Sequence, residues 1–317
     1  MEKGIKTSRR IDNRKRSRAI FYIAIMAIPV IQFVIFYVVV NFNSIILAFQ
    51  KYTPREETFG YDLNFVGFEN IKWALERLDK SFFMVKNSLI MSLFSFVVGF
   101  VLAIMFSFYI YKKKFASGFY RVMLFMPQIV SGMIFAVLYK YMVTDVYCEI
   151  VRVLFNVEAQ GLLDNAATQF GTVLFFNIWI SFGVNVLMYS GSMSTIDTSI
   201  VESAQLDGVN VVQEFIHITL ALIYPTIVSF VIIYLTGVFT NQFGLYDMFG
   251  TDAKGLDTLG YYIFKMAKGS SLIKDDLPSG MPTYGELSAL GLVLSAIIVP
   301  LILITRKLML KFGPSDN

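Results

Sequence analysis

Long uncharged apolar runs recur along this chain, separated by short polar stretches. Six runs have the length of a helix that crosses a hydrocarbon core, which takes about 20 residues for about 30 Å. They are Ile20 to Asn41, Asn87 to Tyr111, Phe119 to Met142, Phe170 to Gly191, Ala221 to Thr240 and Leu287 to Thr305. Arg121 and Lys140 lie near the ends of the third, where long basic side chains reach the headgroups. The first run is too long for a cleaved signal peptide and lacks its small-residue cleavage signature, so it reads as a retained helix. The pattern predicts an all-α polytopic membrane protein with six transmembrane helices. One membrane domain over residues 20–310 lies between a basic tail at 1–19 and a short tail at 311–317.

The polar stretches set the orientation. Lys3, Lys6, Arg9, Arg10, Arg14, Lys15, Arg16 and Arg18 precede the first run, Lys112, Lys113 and Lys114 separate the second from the third, and Arg306, Lys307 and Lys311 follow the last. With six spans these places share one side, which the positive-inside rule makes the cytoplasm, so both termini are expected there. Parity also puts residues 192–220 in the cytoplasm, although that stretch has no Lys or Arg. Residues 42–86, 143–169 and 241–286 face outward. In the first of these, Ile71, Leu75 and Leu78 recur at helical spacing and predict a short surface helix over Glu69 to Leu78. The third, with Gly255, Gly260, Gly269, Pro278, Gly280 and Pro282, reads as irregular loop. Pro29, Pro127, Pro225 and Pro300 fall in or beside spans and read as kinks.

Composition agrees with this picture. Of 317 residues, 56% are hydrophobic and 16% charged, against about 45–50% and 25% in soluble domains. Lipid must therefore be part of the solvent. A net charge of +4 excludes a nucleic-acid-binding composition unless it is clustered, and the apolar content excludes disorder. Cys148 is the only Cys and His217 the only His. No internal disulfide, zinc set or iron–sulfur set can form, and neither residue has a catalytic companion, so no metal site and no catalytic residue are expected.

Residues 192–220 are polar yet helically periodic. Asp197 is placed to cap a helix, Gly208 to end it with positive φ, and Asn210 with Gln213 resembles the capping box of a second helix leading into the fifth span. A helix–Gly–helix elbow follows. Glu202, Asp207 and Glu214 are expected on its surface, with small Ser203 and Ala204 between the acids. Such a face can receive a basic partner at close range; a solvated acidic loop is the plainer alternative.

This stretch resembles the Glu-Ala-Ala loop of permease subunits in binding-protein-dependent ABC importers. The matching residues are Glu202, Ala204, Asp207, Gly208, Ile218 and Leu220, with Pro225 where carbohydrate permeases often carry a second Pro. Ser203 replaces the first Ala. Ala221 replaces the Pro that usually follows Leu220, which predicts a softer break at the start of span five. Other segments are similar to maltose-type permeases: Phe65-Val66-Gly67-Phe68-Glu69-Asn70, Asn87-Ser88-Leu89, the run from Arg121 through Pro127 to Gly132, and Tyr284-Gly285-Glu286-Leu287-Ser288-Ala289. The resemblance implies a non-enzymatic subunit in the cell (inner or plasma) membrane that pairs with a second permease, generally a different chain. It implies a cytoplasmic coupling helix between helices four and five, docked on one of two ATPase subunits or domains, and a sugar-binding protein outside. Glu202 would anchor that contact, Ser203 and Ala204 fit against it, and Gly208 set the turn. The chain has no G-x-x-x-x-G-K-[ST] pattern, so ATP and Mg belong to the partner ATPase and this chain itself needs no cofactor.

A sugar pathway needs amides, hydroxyls and aromatic platforms. Asn177, Asn185 and Tyr189 in span four, and Tyr234, Asn241 and Gln242 in or after span five, meet that need, although such residues more commonly tie helices together. The segment Phe243 to Thr251 departs from the Thr-x-Gly-Gly-Pro that relatives often carry. An ion-coupled secondary carrier of a small polar solute is the alternative. Against it, no Asp or Glu falls inside the six runs.

Overall fold

Residues 2–47 run as one helical path: α1 (Glu2–Phe33), a π-helical stretch at Val34–Val39, and α2 (Val40–Leu47). The computed structural model that gives this path describes residues 2–54, 61–269 and 281–314. The chain divides into two units, Met1–Ala74 with Ser270–Leu292 and Leu75–Gly269 with Val293–Asn317.

In the first unit the stretch Arg18–Leu47 is long and apolar enough to cross a membrane. None of its apolar window is buried among the described residues: Ile28 is 74% and Phe36 71% exposed. Apolar surface of that extent is stable only in lipid or against another subunit. Asn41 Nδ2 and Ser44 Oγ donate back to the carbonyls of Tyr37 and Val40 at 2.6 and 3.0 Å, so neither polar group is left unsatisfied. Beyond the helix, β1 (Gln50–Pro54) pairs antiparallel with β2 (Tyr61–Phe65), Gln50 opposite Phe65 and Pro54 opposite Tyr61. This hairpin corrects the all-α expectation, and its turn lies outside the described residues. Aromatic and β-branched residues alternating with polar ones favour strand here over helix. Asn70, in α3 (Glu69–Lys80), donates to the carbonyls of Ala48 and Gln50 at 3.1 and 3.0 Å and holds the base of the hairpin. The surface helix expected over Glu69 to Leu78 corresponds to α3. Thr283 and Glu286 cap the start of α15 (Tyr284–Phe312) reciprocally, with N···O distances of 2.7 and 3.2 Å.

The second unit is built on α4 (Phe82–Tyr111) and α8 (Gln169–Met193). Ser107 Oγ of α4 reaches the Val186 carbonyl of α8 at 3.0 Å. Between these helices in sequence come α5 (Ser117–Ile129), α6 (Gly132–Tyr141), a π-helical turn at Met142–Val146, and α7 (Tyr147–Phe155). The run Phe119 to Met142 is therefore not one straight helix. Its two halves bend by 99° where Val130 is extended, three residues past Pro127 and just before Ser131-Gly132. The fifth run is bent too. After α9 (Thr198–Leu206) come α10 (Val211–Gln213), a π-helical stretch at Glu214–Thr219 and α11 (Leu220–Leu222), and the path then turns by 68° into α12 (Tyr224–Thr236). Ala221 does remove a break at its own position, but Pro225 in the first turn of α12 has no N–H to continue the earlier helix, so the break falls at Ile223 and is sharp. Tyr224 hydroxyl donates to the Met309 carbonyl at 2.9 Å beside this turn.

Residues 241–269 are not irregular loop as expected. They hold α13 (Leu245–Phe249) and α14 (Leu259–Gly269), whose Leu245, Met248, Leu259 and Tyr261 are all at most 1% exposed. Pro278 and Gly280 lie outside the described residues. Among the described residues four helices are long and apolar enough to cross a membrane, and up to six spans result if each bent pair is one span.

Candidate functional site

The bend between α5 and α6 opens onto a cavity of about 460 Å³ inside the second unit. Phe96 and Phe100 of α4, Tyr189 of α8, and Phe230 and Tyr234 of α12 give it an aromatic wall. The rings support one another: Phe96 lies 5.5 Å from Phe100 and 4.7 Å from Tyr234, and Tyr189 lies 6.0 Å from Phe100 and 5.0 Å from Phe230. Gly132, at the break of the third run, also faces this space. A helix can be interrupted at membrane depth where the freed backbone lines a cavity.

All six residues singled out for a solute pathway line this one cavity: Asn177, Asn185, Tyr189, Tyr234, Asn241 and Gln242. Their bonding separates them. Asn177 Nδ2 donates to the Val173 carbonyl at 2.8 Å and across to the Phe243 carbonyl at 2.9 Å. Tyr234 hydroxyl donates to the Ser92 carbonyl at 2.7 Å. Asn241 Oδ1 accepts from Phe243 N at 2.8 Å and shapes the turn after α12. These three tie segments together while showing part of their polar surface to the cavity. The Asn185 side chain has no hydrogen-bond partner among the described residues, and Gln242 reaches only Asp247, at 3.4 Å. Phe243 and Gly244 follow with φ of 55° and 70°. A Cβ on Gly244 would lie 2.9 Å from the Phe176 ring, so glycine is needed there for both its φ and its size.

Residues 192–220 form the elbow that the caps predict. Asp197 Oδ1 accepts from Ser199 N at 2.9 Å, and this hydrogen bond holds the Asp197 carboxyl below its ordinary pKa. At the other end of α9, Gly208 has φ of +81°. Gly208 N donates to Gln205 O at 3.1 Å and Val209 N to Ala204 O at 3.1 Å, the pair of bonds that defines a Schellman stop. Asn210 then caps α10: its Oδ1 accepts from Val212 N and Gln213 N at 3.0 and 2.9 Å, while Gln213 Oε1 accepts from Asn210 N at 3.0 Å.

Glu202, Ser203, Asp207 and Gly208 are exposed and Ala204 is half-buried, all in one short stretch. Glu214 is not on that surface. It is buried, and its carboxylate pairs with Lys112 at the end of α4, their side chains 3% and 19% exposed. Phe215 packs on Phe108 with ring centroids 4.8 Å apart. Polarity alone assigned Glu214 to the surface; its partner comes from a distant connection that no local pattern links to it. The exposed face also carries apolar side chains that the sequence reading passed over, Leu206 at 90%, Val212 at 64% and Val211 at 59%. Their signal is apolar residues on either side of the turn, Leu206 just before Asp207 and Val211-Val212 inside the Asn210–Gln213 capping box. No group of three or more His, Cys, Asp or Glu able to hold a metal ion occurs among the described residues.

The second unit thus joins a cavity of rings and amides to a capped elbow through α8 and α12. No family model matches the chain. Its fold matches that of a chain in the crystal structure of a bacterial ABC transporter involved in the import of the acidic polysaccharide alginate, with a TM-score of 0.71 at 18% identity, covering 94% of this chain and 98% of that one. In sequence it is 28% identical over 232 residues to a probable ABC transporter permease protein of Mycoplasma pneumoniae, 69% of each chain. It is 26% identical over 289 residues to the arabinooligosaccharide transport system permease protein AraP of Bacillus subtilis, 88% of this chain and 85% of that one. The chain is accordingly a mostly helical, multi-pass membrane protein, similar in sequence to ABC transporter permease proteins.

Proposed function

We propose that the protein is the transmembrane permease subunit of an ATP-driven sugar or oligosaccharide importer, forming half of the translocation pathway. In this reading the six runs are six spans with both termini in the cytoplasm, and α9 is the coupling helix on the cytoplasmic face. Glu202, Ser203, Ala204, Asp207 and Gly208 contact a separate ATPase, which carries ATP and Mg. A second permease completes the pathway. A sugar-binding protein delivers solute from outside; the alginate transporter has also been crystallised in complex with an alginate pentasaccharide-bound periplasmic protein.

One observation carries the reading: the two helices that flank the elbow, α8 and α12, are also walls of the cavity. Caps at both ends make the elbow stiff, and Ser192 and Thr226 join its flanks through their hydroxyls at 2.8 Å. A displacement of α9 therefore moves two walls together. The Lys112–Glu214 pair connects the same lever to α4, which carries Phe96 and Phe100 of a third wall. Closure of the ATPase can thus change access to the cavity without the chain doing chemistry of its own.

Reconstitution tests this directly. The chain, with its co-purifying permease, ATPase and external receptor in proteoliposomes, should accumulate the receptor's ligand only when ATP and Mg are supplied. Uptake by this chain under an ion gradient, with the ATPase left out, would establish the secondary carrier instead.

A further inference from the structure

Asp247 is the one carboxylate on the cavity wall among the described residues, and no Lys, Arg or His lines that wall with it. Gly244 starts α13 with positive φ, and Leu245 and Met248, one helical turn apart and at most 1% exposed, sink into the core. That anchoring leaves half-buried Asp247 on the face of α13 that meets the cavity. Its Oδ2 accepts from Gln242 Nε2 at 3.4 Å. No salt bridge to it is present among the described residues, although Lys254, not far along the chain, is paired with Asp164 at 2.6 Å. Beyond that one long hydrogen bond the carboxylate keeps acceptor capacity on the cavity wall, which suits it to donors that a ligand brings.

We infer that Asp247 fixes the charge class of the solute: the cavity takes sugars that are uncharged or cationic and rejects those bearing carboxylate or phosphate. The inference rests on the sugar-pathway reading of this cavity. Sugar hydroxyls, or the ammonium of an amino sugar, donate to the carboxylate in charge-assisted hydrogen bonds. An anionic sugar meets like charge on the wall of a confined cavity, where the repulsion is less screened than in bulk water. The alginate transporter that shares the fold handles an acidic polymer, so charge selection would be a property of this wall and not of the fold.

The charge of the cavity can be read without knowing the sugar. Ser181 lines the cavity, and Ser181→Cys in a Cys148→Ser background gives one thiol there in the full-length chain in membranes. Its modification rates by a cationic and an anionic methanethiosulfonate of similar size are compared, normalised to the same ratio for a free thiol in solution. The cationic reagent should be favoured at least about tenfold. Asp247→Asn should return the ratio to the free-thiol value, and Asp247→Glu, which keeps the charge, should preserve the preference. A normalised ratio within about twofold of unity in the parent, a preference unchanged by Asp247→Asn, or no labelling by either reagent would each overturn the inference. Since the measurement needs neither sugar nor ATP, its failure leaves the importer reading standing. Loss of ATP-driven uptake in the reconstituted complex, with the preference intact, would instead overturn the importer reading.

Discussion

In the cavity, Asn177, Tyr234 and Asn241 are held by backbone groups, two of them across to other segments at Phe243 and Ser92. In the elbow, Glu202 and Asp207 make no side-chain hydrogen bonds among the described residues, and order comes from caps that bond within the stretch itself. The first region is shaped by long-range ties, the second by local sequence with one buried clamp at Glu214. A substitution in the cavity therefore disturbs packing and solute contact together. On the exposed elbow the two can be separated at Glu202 and Asp207, whose side chains make no hydrogen bonds among the described residues.

The clamp is where this contrast is most easily broken. Removing one partner of a buried ion pair typically costs about 3–5 kcal/mol, and Lys112→Glu leaves two carboxylates facing each other. We expect the variant to insert poorly or to lose coupled transport altogether, measured as assembled complex in membranes and as uptake per complex. The exchange Lys112→Glu with Glu214→Lys should recover a substantial part of both. Equal damage from the single and the exchanged variant would show that the pair does not join the elbow to α4.

Next comes the turn. Nothing lies within 4 Å of a Cβ built on Gly208, so the chain itself leaves room there and the cost of a side chain is conformational, about 1–2 kcal/mol in the left-handed region. Gly208→Leu should insert normally yet lose ATPase association, since it strains the turn and adds bulk to the docking face. Gly208→Asn tolerates the φ and separates the two effects: it should keep the elbow's protection from hydrogen exchange while still weakening association. Glu202→Lys should weaken association with no structural change. Co-purification of the ATPase reads all three, and undiminished recovery would remove these residues from the docking role.

What could be read from sequence follows the same division. The caps at Asp197, Gly208, Asn210 and Gln213 bond over two to five residues, so their spacing predicts the elbow's backbone closely. Glu214 was misplaced because burial depends on Lys112, which no periodicity connects to it. Pro127 and Ser131-Gly132 lay in view, yet a hydropathy run cannot distinguish a straight crossing from one bent by 99°. In α14 the run Leu259 to Met266 is apolar enough for a helix; counting the glycines around it obscured that. Chemistry alone marks the pathway residues in the sequence; only the fold gathers them around one cavity, together with Asp247, which lies outside the six apolar runs.

A milder test sharpens the contrast within the cavity. Tyr234→Phe removes the hydrogen bond to the Ser92 carbonyl, worth about 1 kcal/mol, and should lower thermal stability in detergent. Asn185→Ala removes an amide with no partner among the described residues, so stability should hold while the half-saturating sugar concentration for uptake rises. A reversed result, with Asn185→Ala unfolding the chain and Tyr234→Phe altering only uptake, would exchange their roles.

The smallest effect is expected at the elbow's first cap, and it carries a sign. The Ser199 amide holds the Asp197 carboxyl below its ordinary pKa, so the ionised form is favoured when α9 is folded. The cap's contribution is complete above the unfolded value of ~3.9 and is lost as pH falls through the lower, folded value. At neutral pH the elbow should be insensitive to small pH changes, and hydrogen exchange at Ser199, corrected for intrinsic rate, should quicken only in acid. Asp197→Asn keeps an acceptor at every pH and should abolish that acid step, whereas Asp197→Ala should show fast exchange throughout. An acid step that survives in Asp197→Asn would mean that another group, and not this cap, controls the fraying of α9.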